Sequence, residues 1–230
     1  MTVSDKDLKY TSCFDIIGPI MIGPSSSHTA GACAIGRAAY KLFEQVPAKA
    51  RITYYESFAD THKGHGTDYA IISGLMGFDA DDSRVPQAVE LAKEQGMDIE
   101  FIESREPSPA HHANTALIEL ARDKDDDFSF KLLGASIGGG SFEVRLIMEG
   151  GLIIRPNYTK HLVVLKATHK IGKQDVASAL ADKEITVTNF QPVRLGNNEM
   201  CLINTNRDLS CDELKQLKHD VDADEYVTLM

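Results

Sequence analysis

Between His161 and Met230 the chain runs through short apolar and amphipathic segments in an order that admits few folds. Leu162–Ala167 is almost wholly apolar and has the length of a strand. Lys173–Asp182 carries Val176, Ala179 and Leu180 on one helical face. Ile185–Leu195 and Glu199–Thr205 read as two further strands, the first bent or bulged near Pro192. Ser210 with Glu213 three positions on predicts a capping box for a helix over Cys211–His219. Tyr226–Met230 is the last strand. The order β-α-β-β-α-β is the ferredoxin-like arrangement.

Composition shifts near Asn157, which divides the chain into residues 1–157 and 158–230. In the first part, residues 1–11 are polar and frayed. Gly18-Pro19 and Gly23-Pro24 then interrupt regular structure. Ser25–Thr29 supplies N-cap residues for a helix over Ala30–Phe43. Alternation predicts a strand over Ala50–Ala59, and the Gly/His segment Thr61–Asp68 reads as a loop opening a helix over Tyr69–Leu75. A helix over Val85–Gln95 and a strand over Asp98–Glu103 follow. Pro107, Pro109 and His111-His112 form a loop. Ala116–Arg122 fits either helix or strand, and Asp123–Asp127 is an acidic, solvated turn. Strands over Phe128–Leu133 and Phe142–Met148 flank the run Gly138-Gly139-Gly140. The chain is therefore of the α+β class.

Composition removes several functions. A formal net charge of −10 argues against nucleic acid. No apolar stretch is long enough to span a membrane, and the N-terminus lacks a secretory h-region, so the expected location is the cytoplasm. Cys13, Cys33, Cys201 and Cys211 are irregularly spaced without a C-x-x-C, so they read as free thiols, and no metal site is expected from this chain alone. Gly138–Gly140 is too short for a dinucleotide fingerprint, and no lysine stands in a recognisable Schiff-base context. Neither nicotinamide nor pyridoxal phosphate is expected.

Four blocks in order carry a family resemblance. Phe14-Asp15-Ile16-Ile17-Gly18-Pro19, with Ile22-Gly23-Pro24-Ser25-Ser26-Ser27-His28-Thr29-Ala30-Gly31, resembles the opening signature of the iron–sulfur-dependent L-serine dehydratase beta chain. Gly64-His65-Gly66-Thr67-Asp68 resembles the family's second signature. His112-Ala113-Asn114-Thr115 resembles its His-Pro-Asn-Thr motif with Ala at the Pro position. Ser136-Ile137-Gly138-Gly139-Gly140 resembles its glycine-rich turn. The first part also resembles the allosteric substrate-binding domain of some phosphoglycerate dehydrogenases. The last part resembles an ACT regulatory domain, with Lys170-Ile171-Gly172 at the effector-contacting turn and His169-Lys170 where an acidic residue is usual. The resemblance implies a serine dehydratase beta domain over 1–157 and an ACT domain over 158–230. It implies conversion of L-serine to pyruvate and ammonia, together with an alpha chain whose cysteines ligate a [4Fe-4S] cluster. Further dimerisation through the domains present here is also expected.

Such a reaction needs a base for the Cα proton, an acceptor for the hydroxyl and a grip on the carboxylate. Three hydroxyls and an imidazole in Ser25–Thr29, at a helix N-terminus, suit a carboxylate, and Ser26, Ser27 and Thr29 are its candidate substrate-binding groups. A Ser-rich N-cap loop with a surface His is the plainer alternative. His28 and His65 are the candidate proton-transfer residues, His65 as base and His28 as carboxylate partner, with His62 an open substitute for His65. Asp68 either orients His65 or caps the next helix. Asn114 either bonds substrate or holds an Asx-turn. Gly139 stands where backbone approaches ligand or partner closely. Three readings stay open: a lyase subunit, a serine-sensing module without catalysis, and a dimerisation scaffold.

Overall fold

The computed structural model describes residues 19–156 and 161–228, so the 157/158 boundary, Cys13 and the block Phe14–Gly18 lie outside the described residues. Within them the chain is mixed α+β, with two sheets. The first has six strands: β1 (Lys49–Tyr55), β2 (Asp98–Glu103), β3 (Thr115–Ala121), β4 (Phe130–Gly138), β5 (Ser141–Glu149) and β6 (Leu152–Ile154). Their order is β2-β1-β3-β4-β5-β6, with only β1 and β2 parallel. Helices α2 (Glu56–His65), α3 (Thr67–Leu75) and α4 (Ala88–Glu94) make the crossover from β1 to β2. Helix α1 (Gly31–Phe43) precedes them and packs on α3. That contact is backbone against backbone: a Cβ on Gly36 would strike the Ile71 carbonyl, and one on Gly74 the Cys33 carbonyl.

The structure corrects two local expectations. The strand read to Ala59 ends at Tyr55, and Phe58 and Ala59 lie in α2. Tyr54 and Phe58 are four residues apart, a spacing that fits a strand face or a helix face equally. The chain turns at Glu56, whose φ of 47° is left-handed. The segment read as a loop from Thr61 is the end of α2, followed by Gly66 at φ 72° and the start of α3. Gly64 lowers helix propensity by about 1 kcal/mol, but Phe58, Ala59 and His62 bury one face of α2 and outweigh it. Ala116–Arg122, open in the sequence, is strand β3, central in the sheet and buried nearly throughout, so it lacks a period of two. The strand expected over Phe128–Leu133 runs on to Gly138, because a bare Gly134 admits Ile35 beneath it.

The second sheet holds β7 (Leu162–Ala167), β8 (Val187–Leu195), β9 (Asn198–Thr205) and β10 (Glu225–Thr228) in the order β10-β7-β9-β8, all pairs antiparallel. Helices α5 (Lys173–Ala181) and α6 (Cys211–Asp220) cover one face, around Val163, Leu165, Cys201 and Ile203. The other face, with Leu162, Val164, Met200, Leu202 and Val227, joins the core of the first sheet. Burial on both faces explains why β7 is a continuous apolar run. Ser210 and Glu213 form the expected capping box. The expected irregularity at Pro192 falls instead at Val187/Asn189, since Pro192 sits on edge strand β8, where a missing N–H costs little. Of the expected last strand, Leu229 and Met230 lie outside the described residues.

Candidate functional site

The residues before α1 form a π-type turn, Ser26–Ala30, capped by Ser25, whose Oγ accepts the His28 N–H at 3.1 Å. Such turns widen a helix start and recur at functional sites. This one lifts His28 out of the helix to face α2. Its Nδ1 lies 3.0 Å from Ser27 Oγ and 3.4 Å from Ser25 Oγ, and its Nε2 lies 3.2 Å from Ser57 Oγ. The His65 ring meets the His28 ring edge to face at 4.8 Å between centroids, and Phe58 lies 5.2 Å away on another side. Burial, and then the like charge of His65, hold His28 below the ordinary histidine value, so its neutral form dominates near pH 7. A neutral imidazole among hydroxyls can take a proton at one nitrogen and release one at the other.

The remaining expected residues gather around this pair. His65 ends α2 with its side chain exposed, and its carbonyl accepts the Thr29 hydroxyl at 3.1 Å. Thr29 is fully buried, so its hydroxyl ties the two histidine-bearing segments together. Ser26 and Ser27 are half-buried on the turn, and the Ser26 carbonyl accepts the Gly31 N–H. Asn114 begins the approach to β3. Its N–H donates to His112 Nδ1 at 3.1 Å, and its carbonyl accepts the Ser136 N–H at 2.9 Å. Ser136 is buried against Gly31, where a Cβ would collide with its hydroxyl. Gly139 and Gly140, at φ 60° and 83°, are the two central residues of the β4–β5 hairpin, a type I′ turn that needs positive φ twice. That turn is tucked against Pro19 and Ala30 beside the π-type turn.

Two features escaped the sequence reading. Ser57 reaches His28 only because the chain reverses at Glu56, whose Oε1 accepts the Ser108 N–H at 3.0 Å. Nothing local marks that contact. His62 is 3% exposed, and its nitrogens face two carboxylates, Nδ1 to Asp68 Oδ1 at 2.6 Å and Nε2 to Glu103 Oε1 at 2.9 Å. Lys63 first, and His62 second, hold the Glu103 carboxyl down at about 2. Asp68 therefore bonds His62, while His65 makes the contact with His28.

Among the described residues no cluster of three or more His, Cys, Asp or Glu side chains could hold a metal ion. Cys33 and Cys201 are buried, and burial pushes both thiols up. The described residues offer no ligand set for an iron–sulfur cluster. Among the same residues no helix is long and apolar enough to cross a membrane.

The site is thus an imidazole pair set among serine hydroxyls at a helix start, on an α+β scaffold of two sheets. Residues 12–145, which contain every residue of this site, match the family described as serine dehydratase beta chain. The chain belongs to that family. It is 42% identical over 208 residues to the "Probable L-serine dehydratase, beta chain" of Bacillus subtilis (strain 168), covering 90% of this chain and 91% of the relative. It is 35% identical over 152 residues to the "L-serine dehydratase, beta chain" of Peptoniphilus asaccharolyticus, covering 66% and 67%. A third match, 40% over 93 residues, is to "L-serine dehydratase TdcG" of Escherichia coli (strain K12), covering 37% of this chain and 20% of that one.

Proposed function

We propose that this chain is the beta subunit of a cytoplasmic L-serine dehydratase, converting L-serine to pyruvate and ammonia only in complex with an alpha chain. The observation that carries the reading is the His28–His65 ring contact, one ring half-buried among serine hydroxyls and the other exposed. In this reading the exposed His65 takes the Cα proton. His28 stays neutral and passes a proton between the Ser27 and Ser57 hydroxyls on either side of it. Ser26, Ser27, Asn114 and the Gly139 backbone line the approach of the substrate carboxylate, and Thr29 holds His65 in place. In the same reading the [4Fe-4S] cluster is ligated by the alpha chain. Residues 158–230 are assigned as a ferredoxin-like ACT domain, a reading supported by the strand order β10-β7-β9-β8, and as a contributor to further dimerisation.

The test is serine-dependent pyruvate release by the chain with a cluster-loaded alpha chain, prepared without oxygen. His65→Ala should lower kcat by about 10²–10⁴-fold with the complex intact. Full activity in that variant, or serine bound by this chain in a stable but inactive complex, would replace catalysis by serine sensing.

A further inference from the structure

A general base needs a ring nitrogen with a free lone pair, and His62 offers none. Both of its nitrogens lie at hydrogen-bonding distance from carboxylate oxygens, which accept and do not donate. The ring therefore meets a carboxylate acceptor at each nitrogen, Asp68 on one side and Glu103, which also pairs with Lys63, on the other. It lies 4.7 Å, centroid to centroid, from the buried Tyr54 ring, which fixes its plane. Its three anchors belong to different elements: Tyr54 to β1, Glu103 to β2 and Asp68 to the first turn of α3.

The backbone of His62 acts at the same corner. Its carbonyl accepts the N–H of Gly66, the left-handed residue that ends α2. Side chain and main chain of one residue thus set the angle at which α2 meets α3. Three residues on, nearly a full turn of α2 away, stands His65, the ring that meets His28. We propose that His62 is a positioning residue: a doubly donating clamp between Asp68 and Glu103 that fixes the α2–α3 corner and so holds the His65 ring against His28. This rests on the reading of His65 as a proton-transfer group. It also separates two histidines that look interchangeable in the sequence, giving one the chemistry and the other its geometry.

The two arms of the clamp differ. Asp68 is 22% exposed at its side chain and Glu103 is 44% exposed and shared with Lys63. Loss of the Asp68 arm should therefore matter more than loss of the Glu103 arm.

The first measurement uses the chain alone, with ¹⁵N-labelled imidazoles followed by NMR. Both His62 ring nitrogens should report hydrogen-bond donation to carboxylate oxygens, while His28 reports a neutral ring near pH 7. A bare nitrogen on His62 at neutral pH would overturn the clamp. The second uses the complex with the alpha chain. His62→Gln should lower kcat roughly tenfold to a hundredfold, the range expected of a displaced reacting group, with KM for serine within about twofold. Asp68→Asn should lower it comparably and Glu103→Gln less, and His62→Gln/Asp68→Asn should be no worse than the poorer single variant. Asp68→Asn keeps the side-chain shape and serves if His62→Gln fails to fold. Unchanged kcat in a folded His62→Gln or Asp68→Asn complex, while His65→Ala is inactive, overturns this inference alone. An active His65→Ala overturns the parent assignment, and the ring-nitrogen measurement still judges the clamp.

Discussion

Helix α1 has a pair of like ionisable groups at each end, and the two pairs resolve their repulsion in opposite ways. At the amino end His28 faces His65, and burial together with that neighbour holds the half-buried His28 below its ordinary value. At the carboxyl end Glu44, the left-handed residue that closes the helix, shares a hydrogen bond with Glu225 of β10. There the Glu44 contact, then burial, push Glu225 up to about 7, while hydrogen bonds to Glu225 and Lys166 hold Glu44 low. Lys166 also bonds the Leu42 carbonyl at 2.7 Å and pairs with Glu149 at 2.9 Å. The first pair opens to solvent at the exposed His65. The second is closed by a lysine and stitches the two sheets together. The same physics leaves one pair open and makes the other adhesive, and the deciding variable is whether a counter-charge is present.

The largest effect should come from asking activity to tell the ends apart. His28→Ala should lower kcat of the reconstituted complex by about 10²–10⁴-fold, and Glu225→Gln should leave it within twofold. Equal losses in steady-state assays would mean that the carboxyl end is not a passive seam. Next in size is the helix contact on which the amino end depends. In Gly36→Val the new side chain must displace the Ile71 backbone of α3. Overpacking of this kind costs about 1–3 kcal/mol. Thermal melts should show that loss, and activity should fall with it, because α1 continues the turn that carries His28 and α3 begins two residues after His65.

A smaller effect serves as the control far from both ends. Ser210→Ala removes half of the α6 capping box and should cost about 1 kcal/mol in denaturant unfolding without altering activity. It also marks where sequence reading succeeds. In the last sheet the strand bounds of β7, the helix α5 and the cap at Ser210 follow from neighbours within four residues, so local rules suffice. At the amino end Ser25–Thr29 is legible as a helix start, and His28 and His65 as reactive types. Their meeting is not legible. It depends on a reversal at Glu56, on Ser57 lying across from the π-type turn, and on Gly36 and Gly74 letting two helices touch. Glu103, which decides the role of His62, stands 41 residues away from it. Spacing patterns cannot report such a contact, and so the two histidines of one helix looked alike.

The smallest effect should be in stability against pH, and its signs are opposite at the two ends. His28 has a depressed folded value, so its contribution is present above its ordinary value of 6.5 and is lost as pH falls through the folded one. Glu225 has a raised folded value, so its contribution is full below the ordinary 4.5 and is lost as pH rises towards about 7. Glu44, held low, acts only below 4.5. Below pH 6.5, and down to the folded value of His28, the His28 and Glu225 slopes therefore oppose each other. Both groups are partly solvated, which screens the effect. Melting temperatures measured across this window should change little in the wild-type chain. In Glu225→Gln only the histidine slope remains, and stability should rise with pH. In His28→Asn only the glutamate slope remains, and stability should fall with pH. Parallel curves for all three proteins would show that neither pair is set by repulsion between its members, and the symmetry between the ends of α1 would be lost.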